Sequence, residues 1–105
     1  MIGIDITRIS RFHKFFASEK LLNHFMKKIS HPEEKLPAKA ADLARMWALK
    51  EASFKCQKTK FSEILTFKQE QKPFVSVHGN EWPCSISHEG DYLIAVVLRI
   101  KGGIL

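Results

Sequence analysis

Cysteine is nearly absent. Cys56 and Cys84 are the only two among 105 residues, and they form no ligand-spaced pair. A disulfide scaffold and a cysteine-rich zinc site are both excluded, and the reading is two reduced thiols in a cytoplasmic protein. Long apolar runs are missing too. None approaches the roughly 18 residues that a membrane-spanning helix needs. The segment Met1–Ile9 is apolar, yet it carries Asp5 and Arg8 and lacks the basic-then-apolar order of a secretory signal. There is no internal repeat and no low-complexity stretch. Acidic side chains are the scarcer sign of charge, 11 against 17 Lys plus Arg, which leaves a net charge of +6. That balance favours polyanionic partners: nucleic acid, an acidic protein or a phosphorylated metabolite.

What is present reads as one domain over residues 1–105, with 45% apolar residues. A domain of this size buries only about 65% of its unfolded surface, so shared burial in an oligomer is a natural supplement. The run Met1–Ile6 is too short and too uniformly apolar for an amphipathic helix and predicts a buried strand ending near Asp5. Ile9, Phe12 and Phe16 then follow a helical interval, with Arg8, Arg11 and Lys14 between them. Ser18 predicts the cap of a second helix carrying Leu21, Leu22, Phe25, Met26 and Ile29, closed by Lys27, Lys28 and Ser30-His31-Pro32. After the turn signals Pro32-Glu33-Glu34 and Pro37, the longest helix is expected from about Lys39 to Lys58, with Leu43, Trp47 and Phe54 on one side.

Beyond Phe61 the pattern becomes extended. Strands are predicted at Ile64–Lys68, Phe74–His78, Cys84–Ser87 and Tyr92–Ile100, separated by turns at Gln69–Pro73, His78-Gly79-Asn80 and Glu89-Gly90-Asp91. The order β-α-α-β-β-β-β implies an α+β fold, with helices packed on one face of a mainly antiparallel sheet.

Three features stand apart from scaffold: Asp5 leaving the first strand, Lys50-Glu51 with Lys55 on the long helix, and Ser85-Ile86-Ser87-His88 before the last strand. Trp47, Glu51 and Lys55 are four residues apart and stack along one helical face. Each feature also has a plain reading. Glu51 and Lys55 can be a surface ion pair, Asp5 a helix N-cap, His88 a turn histidine, and Arg8, Arg11 and Lys14 a solvated helix face.

Taken together, Gly3-Ile4-Asp5-Ile6-Thr7, then Trp47-Ala48-Leu49-Lys50-Glu51-Ala52-Ser53-Phe54-Lys55, then Ser85-Ile86-Ser87-His88 resemble the signature of the phosphopantetheinyl transferase superfamily. The length resembles its small single-domain branch, the holo-[acyl-carrier-protein] synthases. The resemblance implies transfer of 4'-phosphopantetheine from coenzyme A to a serine of apo acyl carrier protein, with 3',5'-ADP leaving, in fatty acid biosynthesis. It implies Asp5 and Glu51 as ligands of Mg2+, or of Mn2+ in its place. A hard cation of this kind takes a couple of carboxylates and fills its other positions with water and phosphate.

By the same resemblance Lys55 reaches the phosphates, Thr59 and His88 contact coenzyme A, and Arg11 meets the acidic carrier protein; the neighbouring charges of Lys14 and Arg8 are expected to assist. Deprotonation of the carrier serine falls to Glu51 or to a metal-bound water. The family assembly is a homotrimer with coenzyme A between neighbouring subunits. Thr7 stands where the larger, two-domain class has a third acid.

Some positions depart from the family pattern. Lys58-Thr59-Lys60 replaces Gly-Thr-Gly, Met46 replaces an arginine with Arg45 one position off, and Gly79–Pro83 replaces a helix before the Ser-x-Ser-His motif. Trp47 resembles the larger class and is expected to pack the helix on the sheet. Two rival readings remain at this point. One is a basic nucleic-acid-binding domain using Arg8, Arg11, Lys14, Lys27 and Lys28, which leaves the acids unexplained and carries no nucleic-acid fingerprint. The other is a family member that binds coenzyme A or the carrier without turnover.

Overall fold

A computed structural model describes residues 1–100. Five strands, β1 (Ile2–Arg8), β2 (Ile64–Gln69), β3 (Lys72–Val77), β4 (Asn80–Glu89) and β5 (Tyr92–Leu98), form one sheet in the order β1-β5-β4-β3-β2. Every neighbouring pair is antiparallel. Helices α1 (Glu19–Ile29) and α2 (Ala40–Cys56), with a 3-10 helix over Ile9–Phe16, complete the α+β fold that the sequence implied.

β1 corrects the first expectation. It does not end near Asp5 but continues to Arg8, pairing with β5 along its whole length from Ile2↔Leu98 to Arg8↔Tyr92. Asp5 therefore sits inside a strand and caps no helix. Strand alternation puts Gly3, Asp5 and Thr7 on the helix side and Ile2, Ile4 and Ile6 on the other, where they are 54–62% exposed. Ala44, Ala48 and Ala52 of α2 are fully buried and recur every four residues, a stripe of small side chains that lets the helix backbone approach the sheet. Contact is closest at Gly3, where an added Cβ would lie 1.9 Å from the Ala52 carbonyl oxygen. Only glycine permits that approach.

The segment after β1 is wound as a 3-10 helix eight residues long, more than this geometry usually sustains. Its start is fastened from the β4–β5 turn: Ser10 N–H and Oγ donate to the Asp91 carboxylate at 2.8 and 2.5 Å, and Ile9 N–H donates to the Asp91 carbonyl at 2.8 Å. The hydrogen bonds from Ser10 hold the Asp91 carboxyl below its ordinary value. With three residues per turn, Arg11 and Lys14 fall in one row and Ile9, Phe12 and Phe15 in another. Ser18 caps α1 as expected, accepting from Leu21 N–H at 3.2 Å.

Turn chemistry fixes the hairpins. Glu70-Gln71 and His78-Gly79 are two-residue loops with both φ values positive, and Gly90 takes φ 58° in the last turn. β4 is longer than the expected Cys84–Ser87 because it serves two partners: Asn80–Pro83 pair with β3 and Cys84–Glu89 with β5. Pro83, which has no N–H to donate, sits at the hand-over.

Both thiols are drawn inside this frame. Burial raises Cys56 and pushes Cys84 up to about 12. At neutral pH both are protonated, so alkylation of the folded chain is expected to be at least about a hundredfold slower than in denaturant, where thiolates form near pH 9. The folded state keeps the Cys84 proton between about pH 9 and 12 while the unfolded chain releases it, so this contribution to stability is lost as pH rises through that window. Alkylation followed by mass spectrometry, and melting temperature against pH, check both statements.

Candidate active site

Residues on β1 and α2 meet where the two elements touch. The Gly3–Ala52 contact sets the helix against the strand, and Glu51 stands on α2 one turn before Lys55. Lys55, one turn further on, donates to the Ile4 carbonyl at 2.7 Å and lies 3.3 Å from Asp5 Oδ1. Its side chain is 49% exposed, whereas that of Asp5 is 14% exposed. Asp5 and Lys55 are thus in contact, and Glu51 precedes Lys55 by one helical turn. The remaining described ion pairs are Arg45–Asp42 and Lys50–Glu34, and His78 Nε2 lies 2.9 Å from Glu63 Oε1; Glu51 belongs to none of these contacts.

Two buried side-chain oxygens have no hydrogen-bond partner among the described residues: Asp5 Oδ2 and Thr7 Oγ1. They share the helix-side face of β1, two residues apart. A buried carboxylate oxygen without a donor is costly unless something else satisfies it. No cluster of three or more His, Cys, Asp or Glu occurs among the described residues, so an all-protein metal cage is absent there. Two carboxylates and an orphaned oxygen do fit an ion that keeps most of its shell for water and phosphate.

His88 is not part of that constellation. Thr7↔Leu93 and His88↔Leu93 form one row of the sheet, and Asp5↔Ala95 and Ile86↔Ala95 the next. His88 therefore lies two strands across and one two-residue step along from Asp5, roughly 12 Å away. It lines a different feature, a groove of about 510 Å³ shared with Arg45, Lys68, Lys72, Ser85 and Ile86. Arg45, one position from the expected arginine, thereby reaches the His88 groove, while Met46 is 9% exposed. Thr59 is half-buried in the loop after α2, between the exposed Lys58 and Lys60.

Lys50 leaves the set of chemical candidates. It is fully buried, and its ammonium donates to the carbonyls of Ile29, Phe61 and Ile64 at 2.7, 2.8 and 2.7 Å and to Glu34 at 2.8 Å. Burial lowers its pKa, and the Glu34 carboxylate opposes that shift. Glu34, taken in the sequence for a turn residue, also accepts from Thr66 N–H and Oγ1 and from His31 N–H. This pair joins the end of α1, the connecting loop and β2 to α2, and so holds the helix that carries Glu51. Nothing local distinguishes Glu34 from Glu33, so spacing could not have found it.

Trp47 also differs from expectation. Instead of packing α2 on the sheet, it faces the 3-10 helix and α1, with ring centroids 5.9 Å from Phe25, 5.3 Å from Phe61 and 6.1 Å from Phe12. Phe54 lies 38% exposed, away from the fully buried Leu43 with which it was grouped. Arg11, on the 3-10 helix, extends over the Trp47 ring at 5.0 Å, and Lys14 lies over Phe15 at 5.3 Å.

A strand-borne aspartate set against a helix-borne Glu-x-x-x-Lys, on an antiparallel sheet of this order, defines a class. A family profile for the 4'-phosphopantetheinyl transferase superfamily matches residues 1–97, and the chain belongs to that superfamily. Within it, the chain is similar to the holo-[acyl-carrier-protein] synthases. It is 34% identical over 101 residues to that of Mycoplasma mobile, covering 94% of this chain and 88% of the relative. The counterpart from Mycoplasmopsis pulmonis is 36% identical over 108 residues, with 95% and 90% covered. Among solved structures, the Helicobacter pylori holo-[acyl-carrier-protein] synthase in complex with coenzyme A aligns with TM-score 0.78 and 30% identity over 93% of this chain and 98% of that one.

Proposed function

We propose that this chain transfers 4'-phosphopantetheine from coenzyme A to a serine of apo acyl carrier protein, as a cytoplasmic enzyme of fatty acid biosynthesis. The observation that carries the reading is the Asp5 carboxylate, with one buried oxygen unpartnered, set beside Lys55 and the α2 segment bearing Glu51 in a member of this superfamily. Asp5 and Glu51 would hold Mg2+ or Mn2+, which supplies positive charge for the pyrophosphate and for the charge that develops as the phosphoryl group transfers.

The chain's own residues do the rest. Lys55 is oriented by the Ile4 carbonyl and brings a second cation to the phosphates. Lys58 and Lys60 flank Thr59 with exposed charge, so the loop approaches phosphate through side chains where relatives use glycine backbone. Glu51, free of the described ion pairs, is the carboxylate this chain offers to accept the serine proton. Arg11 and Lys14 stand in one row of the 3-10 helix and meet the acidic carrier. Such charges act mainly on association rate and salt dependence.

The exposed apolar face of β1 and β5, with Ile2, Ile4, Ile6, Ile94 and Leu98 each 39–62% exposed, supports burial against further copies in a homotrimer. Coenzyme A would then lie between neighbouring subunits, with His88 contacting its nucleotide end. Two measurements check this. Chelation of divalent ions is expected to stop the transfer of a label from the pantetheine arm of coenzyme A to the carrier, with Mg2+ or Mn2+ restoring it. Light scattering should give three times the chain mass of 12.1 kDa. Full transfer in excess chelator overturns the metal assignment, and a monomeric mass overturns the assembly.

A further inference from the structure

Among the features of the molecule that the proposed chemistry leaves unused, the aromatic cluster around Trp47 is the most definite. Phe15 stacks on Phe25 at 4.1 Å, Phe25 on Trp47 at 5.9 Å, Trp47 meets Phe61 edge-on at 5.3 Å, and Phe61 meets Phe54 at 6.3 Å. This row of rings runs along the side of α2 that carries Glu51, and Trp47 precedes Glu51 by one turn. Cations stand over its rings: Arg11 over Trp47 and Phe12, at 5.0 and 5.4 Å, and Lys14 over Phe15. Arg11 takes part in none of the described ion pairs, so the rings are what orders its side chain.

An arginine on a surface helix ordinarily samples many rotamers, and ordering it on binding costs affinity. A guanidinium seated on an indole face has met part of that cost in advance, and indole is the strongest such seat among aromatic side chains. Because Trp47 and Glu51 share one face of a single rigid helix, the seat also fixes where Arg11 stands relative to the carboxylate.

We infer that Trp47 is a positioning residue for carrier docking: its ring holds Arg11 ready one helical turn from Glu51, and tightens binding of an acidic carrier without touching it. This rests on the reading that Arg11 meets the carrier. The side chain at position 47 then grades the carrier KM in the order Trp, Phe, Leu.

The test is steady-state transfer by the full chain with apo carrier protein, coenzyme A and Mg2+, using Trp47→Phe, Trp47→Leu, Arg11→Ala and Arg11→Ala/Trp47→Leu. Trp47→Leu is expected to raise the carrier KM about fivefold and Trp47→Phe about twofold, with the KM for coenzyme A within about twofold of wild type. In the Arg11→Ala background, Trp47→Leu should add nothing further to the carrier KM. Apart from turnover, the Arg11 side-chain protons over the indole are expected to be shifted upfield in NMR spectra and to lose that shift in Trp47→Leu. If Trp47→Leu proves unfolded, Trp47→Phe keeps a ring in the cluster and carries the comparison.

A Trp47 effect of equal size with and without Arg11 overturns the positioning role, as does an unshifted Arg11 in the wild type. An unchanged carrier KM in Arg11→Ala overturns the docking role of Arg11 itself.

Discussion

Asp5→Asn and Glu51→Gln are each expected to lower kcat/KM for transfer by at least about 10²–10³-fold while leaving the fold intact. Each change keeps the shape of the side chain and removes its negative charge. At Asp5 the orphaned Oδ2 ceases to be an anionic ligand, yet the Lys55 ammonium keeps its 2.7 Å bond to the Ile4 carbonyl. Because Lys55 is half exposed, its pairing with Asp5 carries less than about 1 kcal/mol of stability. Losing that pairing should move the melting temperature by only a few degrees. Initial rates over a range of coenzyme A at saturating carrier, with melting followed by circular dichroism, make the comparison. Retained activity in either variant contradicts the assignment of the metal pair; lost activity with a collapsed melt reassigns the residue to scaffold.

The largest stability effect is expected at Lys50. Lys50→Met removes the donor shared by three carbonyls and leaves the Glu34 carboxylate, whose side chain is 1% exposed, without its cation. Breaking a buried pair from one side costs about 3–5 kcal/mol, a large part of the 5–15 kcal/mol that a domain has in total. Removing both charges is a smaller perturbation, because no buried charge is left alone. Glu34→Leu/Lys50→Met should therefore recover part of the loss. Urea titration measures all three chains, and a Lys50→Met loss under about 1 kcal/mol would mean that the network is not the hub described here.

Lys50 and Glu51 also show where sequence reasoning stopped. They are neighbours in a recognisable motif, but consecutive helical residues point about 100° apart, and only a partner 16 positions earlier decides that Lys50 is structural. Local signals did well where the chemistry is local. Ser18 capped α1 as read, and the turn residues at 78–79 and 89–91 placed the hairpins.

The end of β1 was misread because Arg8 and Ile9 already suit a helical interval, while the pairing that extends the strand comes from β5, some 90 residues on. Over eight residues the spacing of Ile9, Phe12 and Phe16 cannot separate three residues per turn from 3.6. The Asp91 contacts that favour the tighter winding are again remote. Trp47 is expected to pack on the sheet, and the rings that claim it instead, Phe12, Phe25 and Phe61, are brought there by tertiary packing. Within the site, the Asp5–Lys55 contact joins two motifs that sequence order alone leaves 50 residues apart. The separation of His88 from them follows from sheet register, which the sequence does not print.

The most direct measurement is the intact mass of an apo acyl carrier protein after incubation with the full chain, coenzyme A and Mg2+. The mass should rise by one phosphopantetheine, and a carrier with its acceptor serine replaced by alanine should show no rise. A carrier whose mass is unchanged with Mg2+ and with Mn2+, in the presence of a folded chain, contradicts the assignment of this protein as a phosphopantetheinyl transferase.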